Sequence, residues 1–206
     1  MTTVAIVGTA GRRDAATRLT YPLWLGMVRE AERFLAGLPR PWDLVSGGAA
    51  WADHVAVRLF LDGKADSLTL YLPCRFDLDV PWFEETSEDR HVNYSEEGTE
   101  TVGSEARVAN FYHRRFSGVL RRDRTETTLH ELAEAIRRGA RVIVGEGFKS
   151  RNYGVGHTEA LLAFTFGEGK VPADGGTAHT WRTSAAPLKV HVPLGTLLEE
   201  QAGRLL

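Results

Sequence analysis

Short continuous apolar runs that end at glycine or proline alternate along the chain with segments whose apolar residues recur every three or four positions. The runs are typical of buried parallel strands, and the recurring spacing is typical of amphipathic helices. Strands are predicted over residues 3–7, 42–45, 67–72, 140–144, 161–166 and 189–192. Helices are predicted over about 20–38, 49–61, 105–120 and 128–138, with a short one from about 196.

This order of elements predicts an α/β fold, a doubly wound and mostly parallel sheet with helices on both faces. Residues 161–166 fit either a helix that begins at Thr158 or a buried strand; their aromatic residues and the glycine that follows favour the strand. Residues 75–125 interrupt the alternation, and the stretch with Asn93, Gly98 and Gly103 is predicted as a long loop. The length of 206 residues fits one domain, 1–206, with this segment as an insertion.

Three glycine-containing loops, at residues 8–13, 46–53 and 174–177, are the strongest chemical signal. Right-handed parallel connections place strand-to-helix loops at the carboxyl edge of the sheet. Helix N-termini present free N–H groups there, and glycine lets a phosphate approach the backbone. Arg12 or Arg13 would add a bidentate phosphate contact. Each loop alone is better explained as a tight turn, because short glycine-rich turns are common, but three loops on one edge favour an anion site.

The same loops, with the Arg151-Asn152 pair, resemble the SLOG superfamily, the Rossmann-like domains that include DprA and the LOG phosphoribohydrolases. The nearest resemblance is to the small stand-alone YspA-like branch, and it covers roughly residues 3–74 and 150–194. It implies that residues 161–166 are a core strand, that 167–176 form a ligand loop, and that the ligand is a nucleotide or a nucleotide-derived small molecule. The residues that carry the resemblance are Val7-Gly8-Thr9-Ala10-Gly11-Arg12, Leu44-Val45-Ser46-Gly47-Gly48-Ala49, Ala52-Asp53, Arg151-Asn152 and Gly175-Gly176-Thr177.

Two groups of candidate ligand residues keep an alternative structural role. Trp51 stands where the family usually has glycine, and its indole either stacks on a base or packs on the neighbouring helix. Asn110, His113 and Ser117 share a helix face, which is either a lid that contacts base or ribose, or a solvated surface. The complete set of predicted ligand-binding residues is Gly8, Thr9, Gly11, Arg12, Ser46, Gly47, Gly48, Ala49, Trp51, Asp53, Asn110, His113, Arg151, Asn152, Gly167, Gly175, Gly176 and Thr177.

Whether the protein is an enzyme stays open at this point. LOG hydrolases carry a catalytic glutamate three residues after the Gly-Thr pair, whereas this chain has Thr180 there. N-glycosidic cleavage needs an acid, and Asp174 and Glu159 are the candidates. Asp174 also fits a turn, and Glu159 precedes a predicted strand, which places it at the opposite edge. We therefore expect a sensor or sequestering protein for a nucleotide; the alternative is a nucleoside-monophosphate N-glycosidase.

Composition narrows the remaining function classes. The net charge of −2 gives no global basic field, and the arginines of residues 107–124 follow a run of acidic residues, so nucleic acid is a disfavoured partner. DprA-like binding of single-stranded nucleic acid is the third hypothesis. The seven histidines lack metal-ligand spacing, so neither a metal nor a cofactor is predicted. A single cysteine, Cys74, no membrane-length apolar run and no signal-like N-terminus predict a cytoplasmic location. The resemblance implies a homo-oligomer.

Overall fold

A computed structural model describes residues 1–85, 91–96, 99–120, 127–173 and 175–203. Its centre is a sheet of six strands, and every neighbouring pair in it is parallel. The six strands are β1 (Thr2–Gly8), β2 (Trp42–Ser46), β3 (Ser67–Leu72), β8 (Arg141–Val144), β9 (Ala160–Thr165) and β10 (Leu188–Pro193). The predicted strands are thus confirmed, including the ambiguous one at 161–166.

The order of strands across the sheet is β10-β9-β1-β2-β3-β8. The chain builds outward from β1 through β2, β3 and β8, and then returns to the other side of β1 to add β9 and β10. The direction of winding therefore reverses between β1 and β9. In open α/β sheets such a reversal leaves a crevice outside the carboxyl ends of the two strands.

Helices cover both faces of the sheet, as a doubly wound α/β fold requires. Alternate residues of β1 enter two separate apolar cores, because successive strand residues point to opposite faces. Val4 and Ile6 belong to the larger core, and Ala5 and Val7 to the smaller one. The described helices are α1 (Ala15–Arg18), α2 (Tyr21–Ala36), α3 (His54–Leu61), α4 (Glu105–Leu120), α5 (Thr127–Arg137), α6 (Gly147–Gly156), α7 (Gly175–Thr183) and α8 (Leu194–Gly203).

The segment between β3 and α5 is the predicted insertion, but its first half is not the long loop expected from the sequence. It contains two antiparallel hairpins, β4 (Phe76–Asp77) with β5 (Trp82–Phe83), and β6 (His91–Glu96) with β7 (Thr99–Ser104). The strands of the first hairpin have two residues each, too short to leave a pattern in the sequence.

Three helices also differ from the prediction, and the first is α1, a four-residue helix that was not predicted. The helix expected from residue 49 begins at His54, because residues 49–53 form the loop that follows β2. Helix α6 was not predicted, since its apolar residues show no helical period. In the part of the chain that the structure describes, no helix has the length and apolar character needed to cross a membrane.

Candidate functional site

A cavity of about 690 Å³ opens at the carboxyl edge of the sheet, where the winding reverses. Gly8 at the end of β1 and Phe166 after β9 lie on its walls, together with the loop that follows β2 and the first residues of α7. The three glycine-containing loops, which are far apart in the sequence, therefore meet at one place. Most of the predicted ligand-binding residues line this cavity: Gly8, Thr9, Arg12, Gly48, Ala49, Asp53, Arg151, Asn152, Gly167, Gly175, Gly176 and Thr177.

Asp53 joins the first two loops beneath the cavity. Its Oδ1 accepts a hydrogen bond from the Gly8 N–H at 3.2 Å. Burial raises the pKa of Asp53, while the Arg151 guanidinium and the N–H groups of Gly8, Ala49 and Gly47 favour its ionised form. Gly47 is required here, because a Cβ at this position would stand 2.7 Å from Asp53 Oδ2 and 2.8 Å from Arg151 Cζ. Asp53 thus connects the end of β1 to the loop that follows β2, and its carboxylate interacts with the Arg151 guanidinium.

Arg151 and Asn152, the pair noted in the sequence, both lie on α6. Arg151 Nη1 donates to the Gly47 carbonyl at 3.1 Å, and Nη2 donates to Asn152 Oδ1 at 3.1 Å. Burial lowers the pKa of Arg151, Asp53 opposes this, and the nearby charge of Arg12 lowers it further. The second bond fixes the Asn152 amide with its oxygen toward Arg151 and its Nδ2 toward Gly176 of α7.

Another part of the wall is aromatic, and the sequence did not assign Phe148 and Phe166 to the site. Phe148, Phe166 and Tyr112 line the cavity. The Arg12 guanidinium carbon lies 5.6 Å from the ring centroid of Tyr112 and 5.7 Å from that of Phe148. No periodic pattern pointed to Phe148, because it lies on the unpredicted helix α6.

His113 and Ser46 are site predictions that the structure places behind the cavity wall. His113 has no exposed surface, and its Nε2 lies 2.9 Å from the Gly48 carbonyl oxygen. Its Nδ1 contacts Thr128 Oγ1 at 3.0 Å. The Ser46 hydroxyl accepts from the Gly48 N–H at 3.0 Å. Both side chains hold Gly48, whose φ of +63° needs glycine, and neither lines the cavity.

Trp51 and Gly11 pack together in the core, so neither of them lines the cavity. Trp51 is 3% exposed, and its indole lies 4.4 Å, between ring centroids, from Phe116 of α4. A Cβ on Gly11 would meet the Trp51 indole nitrogen at 2.9 Å. The core-packing alternative for Trp51 is therefore correct, and the base-stacking one is wrong. The φ of Trp51 is +64°, in the left-handed region that is uncommon for residues other than glycine.

The predicted lid of Asn110, His113 and Ser117 is wrong, and so is its solvated alternative, because all three side chains are buried. Helix α4 is covered on this side by the β4–β5 hairpin. Asn110 Oδ1 accepts from the Phe83 N–H at 2.9 Å, and Asn110 Nδ2 donates to the Phe83 carbonyl at 2.8 Å. Asn110 therefore fixes the hairpin to the helix and does not line the cavity.

Of the two candidate catalytic acids, Glu159 and Asp174, the structure describes only Glu159. Glu159 lies at the start of β9, where its Oε2 accepts from the Thr3 N–H at 2.8 Å. That is the amino edge of the sheet, so Glu159 is excluded from this cavity. Asp174 lies outside the described residues. Thr180, three residues after Thr177, lines the cavity and donates to the Gly176 carbonyl at 3.1 Å.

The structure describes only part of the insertion's acidic and basic residues. Arg107 pairs with Glu85 at 3.2 Å, whereas residues 121–126, which hold three of its arginines, lie outside the described part. Within the described residues, no group of three or more His, Cys, Asp or Glu side chains could hold a metal ion.

Comparison with known proteins gives one informative relative. No protein family model matches the sequence. No solved structure matches it either. An uncharacterized protein of Acanthamoeba polyphaga mimivirus is 31% identical over 202 residues, which cover 95% of this chain and 97% of the viral protein. Since the similarity spans nearly the whole of both proteins, the chain belongs to the same family as this mimivirus protein.

Proposed function

We propose that the protein binds a nucleotide or a nucleotide-derived small molecule at the carboxyl edge of its sheet, and that it acts as a sensor or sequestering protein. The resemblance of its loops to the SLOG superfamily suggested this ligand class. Physical support comes from the polar and charged groups around the cavity.

The observation that carries the proposal is the Asn152 amide. Asn152 is 6% exposed, and its Oδ1 is engaged by Arg151, so its Nδ2 faces the cavity beside Gly176. Among the described residues this Nδ2 has no hydrogen-bond partner. The first N–H groups of α7 are adjacent, and such groups have no partner within a helix. An unpartnered donor on a largely buried residue, beside a helix N-terminus, favours a phosphate oxygen as the acceptor.

The size and lining of the cavity also fit a mononucleotide. Small-molecule sites usually enclose about 300–1,000 Å³ and combine apolar walls with a few polar groups. Here Tyr112, Phe148 and Phe166 form the aromatic wall, and the loops with Arg12 and Arg151 form the polar one. We assign the phosphate to the polar wall and the base or sugar to the part of the aromatic wall that Tyr112 and Phe166 form.

Binding is favoured over N-glycosidic cleavage by the roles of the acidic residues. Of the described residues that line the cavity, Asp14 and Asp53 carry carboxylates. Asp53 already accepts the Gly8 N–H and holds two loops together. Asp14 lies on the exposed segment before α1. The position of the family's catalytic glutamate carries the Thr180 hydroxyl, which cannot protonate a leaving base at neutral pH.

The test is calorimetric titration with a panel of nucleoside monophosphates, with chromatography of the same mixtures for free base. We expect binding without base release. Asn152→Asp keeps the acceptor for Arg151 but replaces the donor, so the affinity should fall about 10- to 100-fold. Glu159→Gln, at the opposite edge, is the matched control and should leave affinity unchanged.

Other outcomes separate the alternatives. Release of base would establish the N-glycosidase. Salt-dependent binding of a single-stranded oligonucleotide, without binding of any monophosphate, would favour the nucleic-acid hypothesis. We also propose a homo-oligomer and a cytoplasmic location, which sedimentation and cell fractionation would test.

A further inference from the structure

We propose that Phe148 is a positioning residue, which holds the guanidinium groups of Arg12 and Arg151 so that together they bind one phosphate group. The inference rests on the proposed function, because it concerns the same cavity. It assigns a ligand-positioning role to a ring that would otherwise be read as a surface for stacking a base.

The first observation is the placement of both arginines over one ring. The guanidinium carbons of Arg12 and Arg151 lie 5.7 Å and 5.5 Å from the ring centroid of Phe148. The distances are within the range of cation–π attraction. A planar guanidinium over a ring still directs its N–H groups outward in its own plane. Phe148 therefore restrains both groups without using their donors.

The second observation is that donors and positive charge remain available. Among the described residues, the Arg12 guanidinium has no hydrogen-bond acceptor and no ion-pair partner; only the Arg12 carbonyl is engaged, by the Ala15 N–H. Arg151 gives three of its five N–H groups to the Gly47 carbonyl and Asn152 Oδ1, through Nε, Nη1 and Nη2, and so retains two. The positive charge of Arg12 lowers the pKa of Arg151, as expected for two guanidinium groups that approach the same ring.

These facts define the ligand group. A phosphate between the two guanidiniums would accept hydrogen bonds from both and would remove their repulsion. Asp53 offsets part of the charge of Arg151, but its Oδ1 is held by the Gly8 N–H. Phe148 is half-buried at the cavity wall, so its ring is replaceable without loss of the core.

The experiment measures the affinity of the full chain for inorganic phosphate by calorimetry. Phe148→Leu removes the ring but no charge, and should weaken phosphate binding about fivefold or more. Phe148→Tyr keeps a ring and should stay within about twofold. Phe34→Leu, on α2, is a matched control at a distance from the cavity, and thermal unfolding of each variant reports whether it folds.

A double-mutant cycle separates positioning from simple loss of surface. If Phe148 acts through Arg12, then Arg12→Ala should reduce phosphate affinity less in the Phe148→Leu protein than in the native one. Unchanged phosphate affinity in Phe148→Leu, or strict additivity with Arg12→Ala, would overturn the inference. Phosphate binding with the expected variant effects, but no gain from a nucleoside moiety, would contradict the proposed function alone. Absence of both phosphate and nucleotide binding would contradict both.

Discussion

At the scale of single residues, the buried imidazole of His113 links stability to pH. Burial and the nearby His54 lower its pKa to about 3, against the opposing effect of its bond to the Gly48 carbonyl. The unfolded chain has the ordinary value of 6.5. Below pH 6.5 the unfolded state therefore binds a proton at this histidine that the folded state does not bind. The stability of the fold falls until the pH nears 3.

Because of this histidine, we expect the free energy of unfolding to fall by about 2 kcal/mol when the pH is lowered from 7.5 to 5. Urea denaturation of the native protein and of His113→Gln at both pH values measures it. Glutamine keeps a donor for the Gly48 carbonyl but does not titrate, so the variant should be less stable overall but lose less stability at pH 5. Equal losses in both proteins would show that His113 is protonated in the fold.

Trp51 gives a second test at this scale. Its indole is buried against Phe116, so Trp51→Ala should lower the free energy of unfolding by about 3–5 kcal/mol. Nucleotide affinity at a temperature where the variant is folded should change little. Trp51→Phe, which keeps a ring, should retain most of the stability. A large loss of affinity with native stability would instead support stacking of Trp51 on a base.

At the scale of elements, the cavity depends on how the insertion packs against the α/β core. Helix α4 contributes Tyr112 and Val108 to the cavity wall, and the β4–β5 hairpin contributes Phe83. Asn110 joins these two elements through both polar atoms of its side chain. The position of this part of the cavity wall therefore depends on this pair of hydrogen bonds.

Asn110→Ala should destabilise the protein by at least about 2 kcal/mol, because it leaves the N–H and carbonyl of Phe83 buried without a partner. Chemical denaturation measures the loss. Val119→Ala, on the exposed side of the same helix, should change stability by no more than about 0.5 kcal/mol. If both variants were equally stable, the hairpin would not depend on Asn110.

At the scale of the whole molecule, a ligand in the cavity would contact elements from both halves of the sheet. Gly8 ends β1, and Gly176 lies in the first turn of α7, the helix that connects β9 to β10. A ligand that binds only this folded arrangement raises the free energy of unfolding of the entire chain.

At a concentration 100 times its dissociation constant, a monophosphate should raise the free energy of unfolding by about 2.7 kcal/mol. This corresponds to a rise in Tm of roughly 5–10 °C. Arg12→Ala should remove most of this shift at the same concentration. Arg33→Ala, an exposed arginine of α2 away from the cavity, should keep it. Full retention of the shift in Arg12→Ala would remove this arginine from the site.

The sequence by itself determined the six strands of the central sheet, most of the helices and the edge at which the glycine loops meet. These features depend on local periodicity and on the fixed handedness of parallel connections, so a single chain displays them. Arg12 was found for the same reason, because it lies in the first of those loops, whereas Arg151 and Asn152 were found through the resemblance to the SLOG superfamily.

Only the tertiary structure decided which polar residues face the cavity and which are buried behind it. Asn110 and His113 lie on a helix face that looks polar in the sequence, yet the hairpin and α5 cover it. Phe148 lines the wall although its helix, α6, has no periodic apolar residues, and the Trp51 side chain is buried in the core. Such placements depend on contacts between distant segments, and no local pattern encodes them.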